Sequence, residues 1–234
     1  MLLLARHGQC APNAAGLIVG RSDPPLTDVG KRQAVALGRA VASSVDRPGH
    51  RADREGARGA VRVVTSPLVR ARATAEAICE ALGIAPGDIT VDERWVEIDY
   101  GTYEGLPAAA LAREASGGWG KDLSLRAPGG ESLADVAQRV RNACEEIASA
   151  ASGSDARRDA EGDGHTIVVS HVSPIKAAVA WALGADDSVV WRMYLDVASL
   201  STVVLPRKGS GPGALRRGPF LRSYNENAHC AAVP

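Results

Sequence analysis

Aromatic residues are scarce in this chain. One Phe, four Trp and four Tyr make up only 4% of its 234 residues. With 45% of the residues hydrophobic, a sizeable core has to be built from Ala, Val and Leu, in one large domain or two small ones. An excess of charge of one sign is also lacking: 27 Lys and Arg balance 27 Asp and Glu. No global field attracts a polyanion, so nucleic acid is not an expected partner, and any anion site must come from locally placed arginines. The four cysteines, Cys10, Cys79, Cys144 and Cys230, are widely spaced without a CxxC pair. They form neither a disulfide framework nor a zinc site, and a reduced, cytoplasmic protein is expected. Cys79 and Cys144 fall in helical patterns as small apolar residues. The first apolar run, Met1 to Ala5, is too short for a signal peptide, and no later run approaches the about 20 residues of a membrane span. No membrane partner is expected. A glycine-rich phosphate loop is absent, as are His/Asp pairs at ligand spacing, so neither a cofactor nor a metal is called for.

What is present is a pattern used three times. LLLA runs into RHG, VRVVT into SPLVRARATAEAICEAL, and TIVVS into HVSPIKAAVAWAL. Each is a short apolar run, a polar break and a segment with helical signals. Ser66-Pro67 and Ser173-Pro174 read as N-cap and N1 pairs. Val29, Leu37, Val41 and Val45 share one face of a helix after Thr27; Leu133, Val136, Val140 and Ile147 share another after Glu131. Alternating strands and helices predict an α/β fold of three α/β/α layers with a mostly parallel central sheet. Ligands in such sheets sit beyond the carboxyl ends of the strands. One domain, 1–234, is expected, without a repeat or linker, with a cap-like insertion at about 105–130 and mobile loops at 46–59 and 152–165. The stretch 206–219 has a similar composition and precedes a last strand-like run, FLRSY.

The polar breaks hold the chemistry. Arg6, His7 and Gly8 end the first strand, Arg70 opens a helix, Glu97 lies in ERWVEIDYGTYEG, and His171 ends another strand. Two arginines and two histidines at strand ends and helix N-termini suit a tetrahedral dianion, because forked guanidinium donors and free backbone N–H groups match phosphate oxygens. A neutral histidine held in one tautomer can attack phosphorus, and a nearby carboxylic acid can protonate the departing oxygen. Each residue also has a plainer reading: His7 as a satisfied histidine at a strand end, Arg70 as a solvated helix arginine beside Glu76 or Asp28. Glu97 is selected over Asp92, Glu93, Asp99 and Glu104 only by its spacing to Gly101. His50 and His165 read as solvated loop histidines, His229 as structural, Cys10 as packed, and Trp119 and Tyr103 as cleft or core.

These stretches resemble the histidine phosphatase superfamily, also called phosphoglycerate mutase-like. RHGQCAPN is similar to its opening signature, with Asn13 in place and Cys10 where the family has Thr. LTDVGKRQA, SPLVRARATA, VEIDYGTYEG, PGGES, VVSH and SYNENAH are similar to its further blocks, from residue 2 to about 229. The resemblance implies phosphoryl transfer without a metal. His7 would be the nucleophile, Glu97 the general acid and then base, and Arg6, Arg70 and His171 the groups holding the phosphoryl oxygens. Asn13 and the backbone at Gly8 would be supporting donors.

A phosphohistidine serves either a phosphatase or a mutase. Mutases of the family carry an Arg-Arg pair and more cations in the insertion after the acid, whereas LPAAALAREASGGWGKDLSLRAPGGES holds only Arg113, Lys121 and Arg126. The phosphatase branch, with its α-ribazole phosphatase-like members, is the closer likeness. The expected partner is therefore a small-molecule phosphomonoester, and the expected assembly a monomer or dimer. Cofactor-dependent phosphoglycerate mutase stands as the alternative, and a non-catalytic phospho-ligand-binding module as the alternative of another class.

Overall fold

A computed structural model describes residues 1–45, 60–110, 118, 122–152, 164–206 and 218–233. Strand β1 (Leu2–Arg6) is buried on both faces and lies inside a six-stranded sheet with β2 (Val61–Thr65), β3 (Thr90–Val91), β4 (His165–Ser170), β5 (Leu200–Val204) and β6 (Phe220–Glu226), in the order β3-β2-β4-β1-β5-β6. The pairings from β3 through β1 are parallel, and β5 runs antiparallel to both β1 and β6. Successive side chains of a strand point to opposite faces, so each buried run feeds two cores. Leu3, Ala5, Val63, Ile167 and Val169 meet α2 (Asp28–Val45) and α3 (Val69–Leu82), which follow a single-turn α1 (Ala11–Ala14). Leu2, Leu4, Val64 and Val168 meet α4 (Leu133–Ser152) and α5 (Val172–Leu183) on the other face. The expected three layers are present, and the three strands that share one pattern, β1, β2 and β4, are neighbours.

Register places the polar breaks together. Arg6 pairs with Ser170 across β1 and β4, so His7 and His171 leave the two strands side by side. Thr65 pairs with Val169, which brings Ser66 beside them.

Local capping is where the sequence reading needs correction. Helix α3 is capped at Leu68, not Ser66, and α5 at His171, not Ser173. Carboxylates from remote parts of the chain do the work instead: Asp23 accepts the Val69 N–H at 2.7 Å, and Glu97 accepts those of Val172 at 3.0 Å and Ser173 at 3.2 Å. Either serine would have satisfied one free donor; a distant carboxylate adds charge at the positive end of the helix dipole. His165 is not a solvated loop residue. It opens β4 opposite Val61 and is buried. Val29 is half-buried, and Gly30 and Ala34 join Leu37 on the buried face of α2. Leu133, Val136, Val140, Ile147, Cys79 and Cys144 are buried as expected. The stretch expected to be a loop from 152 is bounded by Ser152, the last residue of α4, and by Gly164 and β4; 153–163 and 46–59 lie outside the described residues. So do 111–117 and 119–121 of the expected insertion, Trp119 among them. Its described start is tied to the loop after α1, with the Ile18 N–H donating to Leu106 O and the Ala108 N–H to Gly16 O. Tyr103 packs against the core. Among the described residues no helix is long and apolar enough to cross a membrane.

Candidate active site

His7 and His171 lie with ring centroids 4.9 Å apart, tilted by 59°, and both are buried. The Nδ1 of His7 lies 2.7 Å from the Gly8 carbonyl oxygen, an acceptor only, so Nδ1 carries the proton and Nε2 the lone pair. Burial, reinforced by the charges of Arg6 and Arg70, holds the His7 pKa well below the usual imidazole value, against the opposing pull of the Gly8 bond. His171 is pushed down in the same direction by burial, then by His7, Arg70 and Arg6. Its Nε2 lies 2.7 Å from the Ser66 hydroxyl, while its Nδ1 is buried without a partner among the described residues. Two uncharged imidazoles beside two guanidinium groups form the centre of the site.

The arginines are held by backbone carbonyls, which orient a guanidinium without neutralising it. Arg70 is fully buried and donates to Ser22 O at 2.7 Å and Gly20 O at 2.8 Å, with Asp23 3.7 Å away. Arg6 donates to Leu195 O at 2.6 Å. The Nε of each is buried without a partner among the described residues. A buried donor left unmade costs about 1–3 kcal/mol, so two such guanidinium donors in a cluster with two uncharged imidazoles suit an anion.

Glu97 is buried, and its carboxylate accepts N–H groups from Ile98, Val172 and Ser173, which places it at the N-terminus of α5. Its charge reaches both Arg6 and Arg70. Glu104, in sequence only a competitor of Glu97, organises the Arg70 side. It accepts the N–H groups of Gly20 and Ser22 and the Ser22 hydroxyl, and so shapes the loop whose carbonyls hold Arg70. Burial works to raise the Glu104 pKa, but these donors outweigh it and hold the carboxyl below its usual range.

The remaining motifs are scaffolding. Gly8 and Gly30 touch so closely that a Cβ on Gly30 would come 2.0 Å from Gln9 O. Gln33 and Thr27 tie down Gln9, and the Gly8 N–H is committed to the Thr74 hydroxyl. Gly8 therefore contributes its carbonyl to His7 rather than a free N–H. Asn13 accepts from the N–H and thiol of the buried Cys10, and its side-chain nitrogen has no bond among the described residues. Glu131 of PGGES pairs with Arg139, and a Cβ on Gly130 would come 2.3 Å from Asp99 O, which locks that turn under the Glu97 segment. In the late element Asn225 and Asn227 bind Asp196, and His229 bonds Ala198 O at 2.8 Å; this fixes the loop that presents Leu195 to Arg6.

The structure brings Arg6, His7, Arg70, Glu97 and His171 into one cluster, with Gly8 beside it through its bond to His7 and Asn13 placed against Cys10. Sequence reasoning missed Ser66 as a partner of His171, Glu104 as organiser of the Arg70 loop, and the carbonyls of Gly20, Ser22 and Leu195. The one available signal was the second glutamate of the VEIDYGTYEG block; a backbone carbonyl has no letter in the sequence. Among the described residues no three His, Cys, Asp or Glu side chains converge in a way that could hold a metal ion.

The chain is 38% identical over 203 residues to the bifunctional protein Rv2228c of Mycobacterium tuberculosis, covering 86% of this chain and 49% of that protein. It spans about half the length of that relative. It is 31% identical over 205 residues to a probable phosphoglycerate mutase GpmB of Salmonella paratyphi C, covering 86% of this chain and 82% of that protein. Among solved structures, mycobacterial glucosyl-3-phosphoglycerate phosphatase Rv2419c with inorganic phosphate superposes at a TM-score of 0.70 with 25% identity, covering 97% of this chain and 98% of that one. The family profile described as Histidine phosphatase superfamily (branch 1) matches residues 2–212. The chain belongs to the histidine phosphatase superfamily.

Proposed function

We propose that the chain is a phosphomonoester hydrolase acting on a small phosphorylated metabolite, with no metal in the chemistry. One observation carries the reading: an uncharged His7, its proton fixed on Gly8 and its Nε2 lone pair left over, beside the unpartnered Nε donors of Arg6 and Arg70. Nε2 attacks phosphorus and the ester P–O bond breaks. Glu97 gives its proton to the departing alkoxide and is left as the carboxylate that the Val172, Ser173 and Ile98 N–H groups stabilise. Arg6, Arg70 and His171 hold the phosphoryl oxygens as charge builds on them, and Asn13 supplies a further donor. Water then attacks the phosphohistidine, Glu97 takes its proton, and inorganic phosphate leaves. Relatives named as phosphatases and as probable mutases both fit a phosphohistidine; the scattered cations of 105–130 favour hydrolysis.

The test is a screen of phosphorylated metabolites for phosphate release, with rapid quenching to trap an acid-labile phosphoenzyme. A His7→Ala protein that releases phosphate at the parent rate overturns the nucleophile. Supplied with 3-phosphoglycerate and a trace of 2,3-bisphosphoglycerate, the chain should yield phosphate. Formation of 2-phosphoglycerate instead would make it a mutase.

A further inference from the structure

Among the described residues two non-glycine residues take a left-handed backbone, Ala198 with φ 52° and Asn225 with φ 56°. Asparagine tolerates that conformation, whereas an alanine adopts it only where its surroundings dictate it. Between the pairs Leu200–Glu226 and Thr202–Ser223, β6 carries one residue more than β5, and this bulge takes Asn225 out of the ladder. The Asn225 N–H goes to the Ser201 hydroxyl at 3.1 Å. Its side chain goes to Asp196: Oδ1 accepts the Asp196 N–H at 2.7 Å, and Nδ2 donates to Asp196 Oδ2 at 2.8 Å. Asn227 donates to the same carboxylate oxygen at 2.9 Å, and His229 donates to Ala198 O at 2.8 Å. The Leu195–Asp196 peptide group is planar and trans, so its C=O and N–H point in opposite directions. Asn225 holds the N–H, and the C=O accepts Arg6 Nη1 at 2.6 Å. One peptide plane thus links the amide on β6 to the guanidinium at the end of β1. Nη1 lies on the Cδ side of the guanidinium, so the opposite edge keeps two parallel N–H groups, those of Nε and Nη2. Among the described residues neither is bonded. Arg70 differs, because carbonyls hold both of its terminal nitrogens.

We propose that Asn225 is a positioning residue for Arg6, acting through the Leu195–Asp196 peptide, and that the Asp196 carboxylate holds the Asn225 amide in the orientation this requires. The proposal deepens the phosphomonoesterase reading above and rests on it. Neither side chain touches the phosphoryl group. With the carbonyl fixed, the free edge of Arg6 is set for two oxygens of a tetrahedral anion before the anion arrives, which lowers the cost of ordering on binding. Hydrogen bonds in series, from amide through peptide to guanidinium, also polarise one another.

Calorimetric affinity for inorganic phosphate reads Arg6 without turnover, and kcat/KM for a hydrolysed ester reads it again. Asn225→Gly keeps the left-handed backbone and removes the amide. Phosphate affinity should then fall about tenfold, and kcat/KM at least as much, while a phosphohistidine still forms on His7. Asp196→Ala should do the same, and Asp196→Asn, which keeps an oxygen for both amide donors, should retain most of the affinity. In an Arg6→Lys background, where there is no Nε–Nη2 edge to aim, Asn225→Gly should cost less than about twofold. A merely structural unit would lower the urea midpoint and leave the phosphate affinity of the folded protein unchanged. That result, or an equal loss in the parent and in Arg6→Lys, overturns the proposal. Should Asn225→Gly fail to fold, the two Asp196 variants carry the same comparison. If no ester is hydrolysed but phosphate affinity follows Asn225 in this way, the hydrolase reading falls and the positioning stands. If esters are hydrolysed and phosphate affinity does not respond, the positioning falls alone.

Discussion

The ends of β1 and β4 carry the same residue in adjacent, parallel positions, and the chain uses the two imidazoles in opposite ways. His7 spends its N–H on the Gly8 carbonyl and presents the lone pair of Nε2. At His171 the Leu68 N–H donates to Ser66 Oγ at 3.3 Å, which leaves the serine proton able to point at Nε2, while Nδ1 has no partner among the described residues. These bonds suit the same tautomer in both rings, and in the proposed reaction one faces phosphorus and the other its oxygens. In that proposed reaction the neighbour at the far side of the ring distinguishes a nucleophile from an oxyanion donor.

The largest effects should come from removing each ring. His7→Gln is expected to lower turnover by at least about 10³-fold and to abolish the trapped phosphoenzyme. His171→Gln should cost about 10²- to 10³-fold, the scale of losing one donor to developing charge, yet still yield a phosphohistidine on His7. Trapping separates the two roles; loss of the phosphoenzyme in both variants would make the comparison meaningless.

The rings are alike in one respect, and pH exposes it. Burial holds both pKa values well below the usual histidine value, whereas the unfolded chain takes a proton on each near pH 6.5. Above that pH neither state is protonated and stability is unaffected. Below it the unfolded chain binds protons that the folded chain refuses, so stability falls, at up to about 1.4 kcal/mol per pH unit for each histidine. The depressed Glu104 carboxyl acts in the same direction, but only near and below the about 4.3 of a free glutamate, so it does not obscure the window from 6.5 to 5. Urea unfolding at pH 7.5 and 5.5 should show the loss, and His171→Gln should remove about half of it. Equal stability at the two pH values would mean that the rings are not held neutral.

Much of this could be read from the sequence, and the part that could not has a common cause. The three strands announced themselves because a doubly covered sheet needs unbroken apolar runs. Arg6, His7, Arg70, Glu97 and His171 stood out because they interrupt those runs or sit at family spacing. The helix caps are illegible to local rules because Asp23 is 46 residues from the N–H it accepts and Glu97 is 75. Local rules assign Ser66 to a cap, whereas β2 and β4 pairing delivers it to His171. Gly30 was matched as a motif letter, but only its contact with Gln9 gives the physical reason.

Glu104 tests whether that remote organisation matters. It touches neither imidazole, and acts on the Arg70 side through the Gly20–Ser22 carbonyls. Glu104→Ala should weaken inhibition by inorganic phosphate about tenfold while the trapped phosphoenzyme still forms, since His7 keeps Gly8. Unchanged phosphate inhibition would show that Arg70 holds its place without the loop.

Ser66→Ala makes the finest cut between the rings. It removes the hydroxyl that fixes the His171 tautomer and leaves the His7 to Gly8 bond untouched. Without that hydroxyl the proton of His171 is free to move to Nε2, which turns a lone pair toward the phosphoryl oxygens in part of the population. The Leu68 N–H also loses its acceptor, so some stability is lost as well; that part reads out in urea and not in the rate. Because a fraction of molecules keeps the productive tautomer, the fall in kcat should be about fivefold, well short of that for His171→Gln. If Ser66→Ala turns over at the parent rate and binds phosphate as tightly, the burial of the ring alone sets its tautomer, and the contrast drawn from its far side fails.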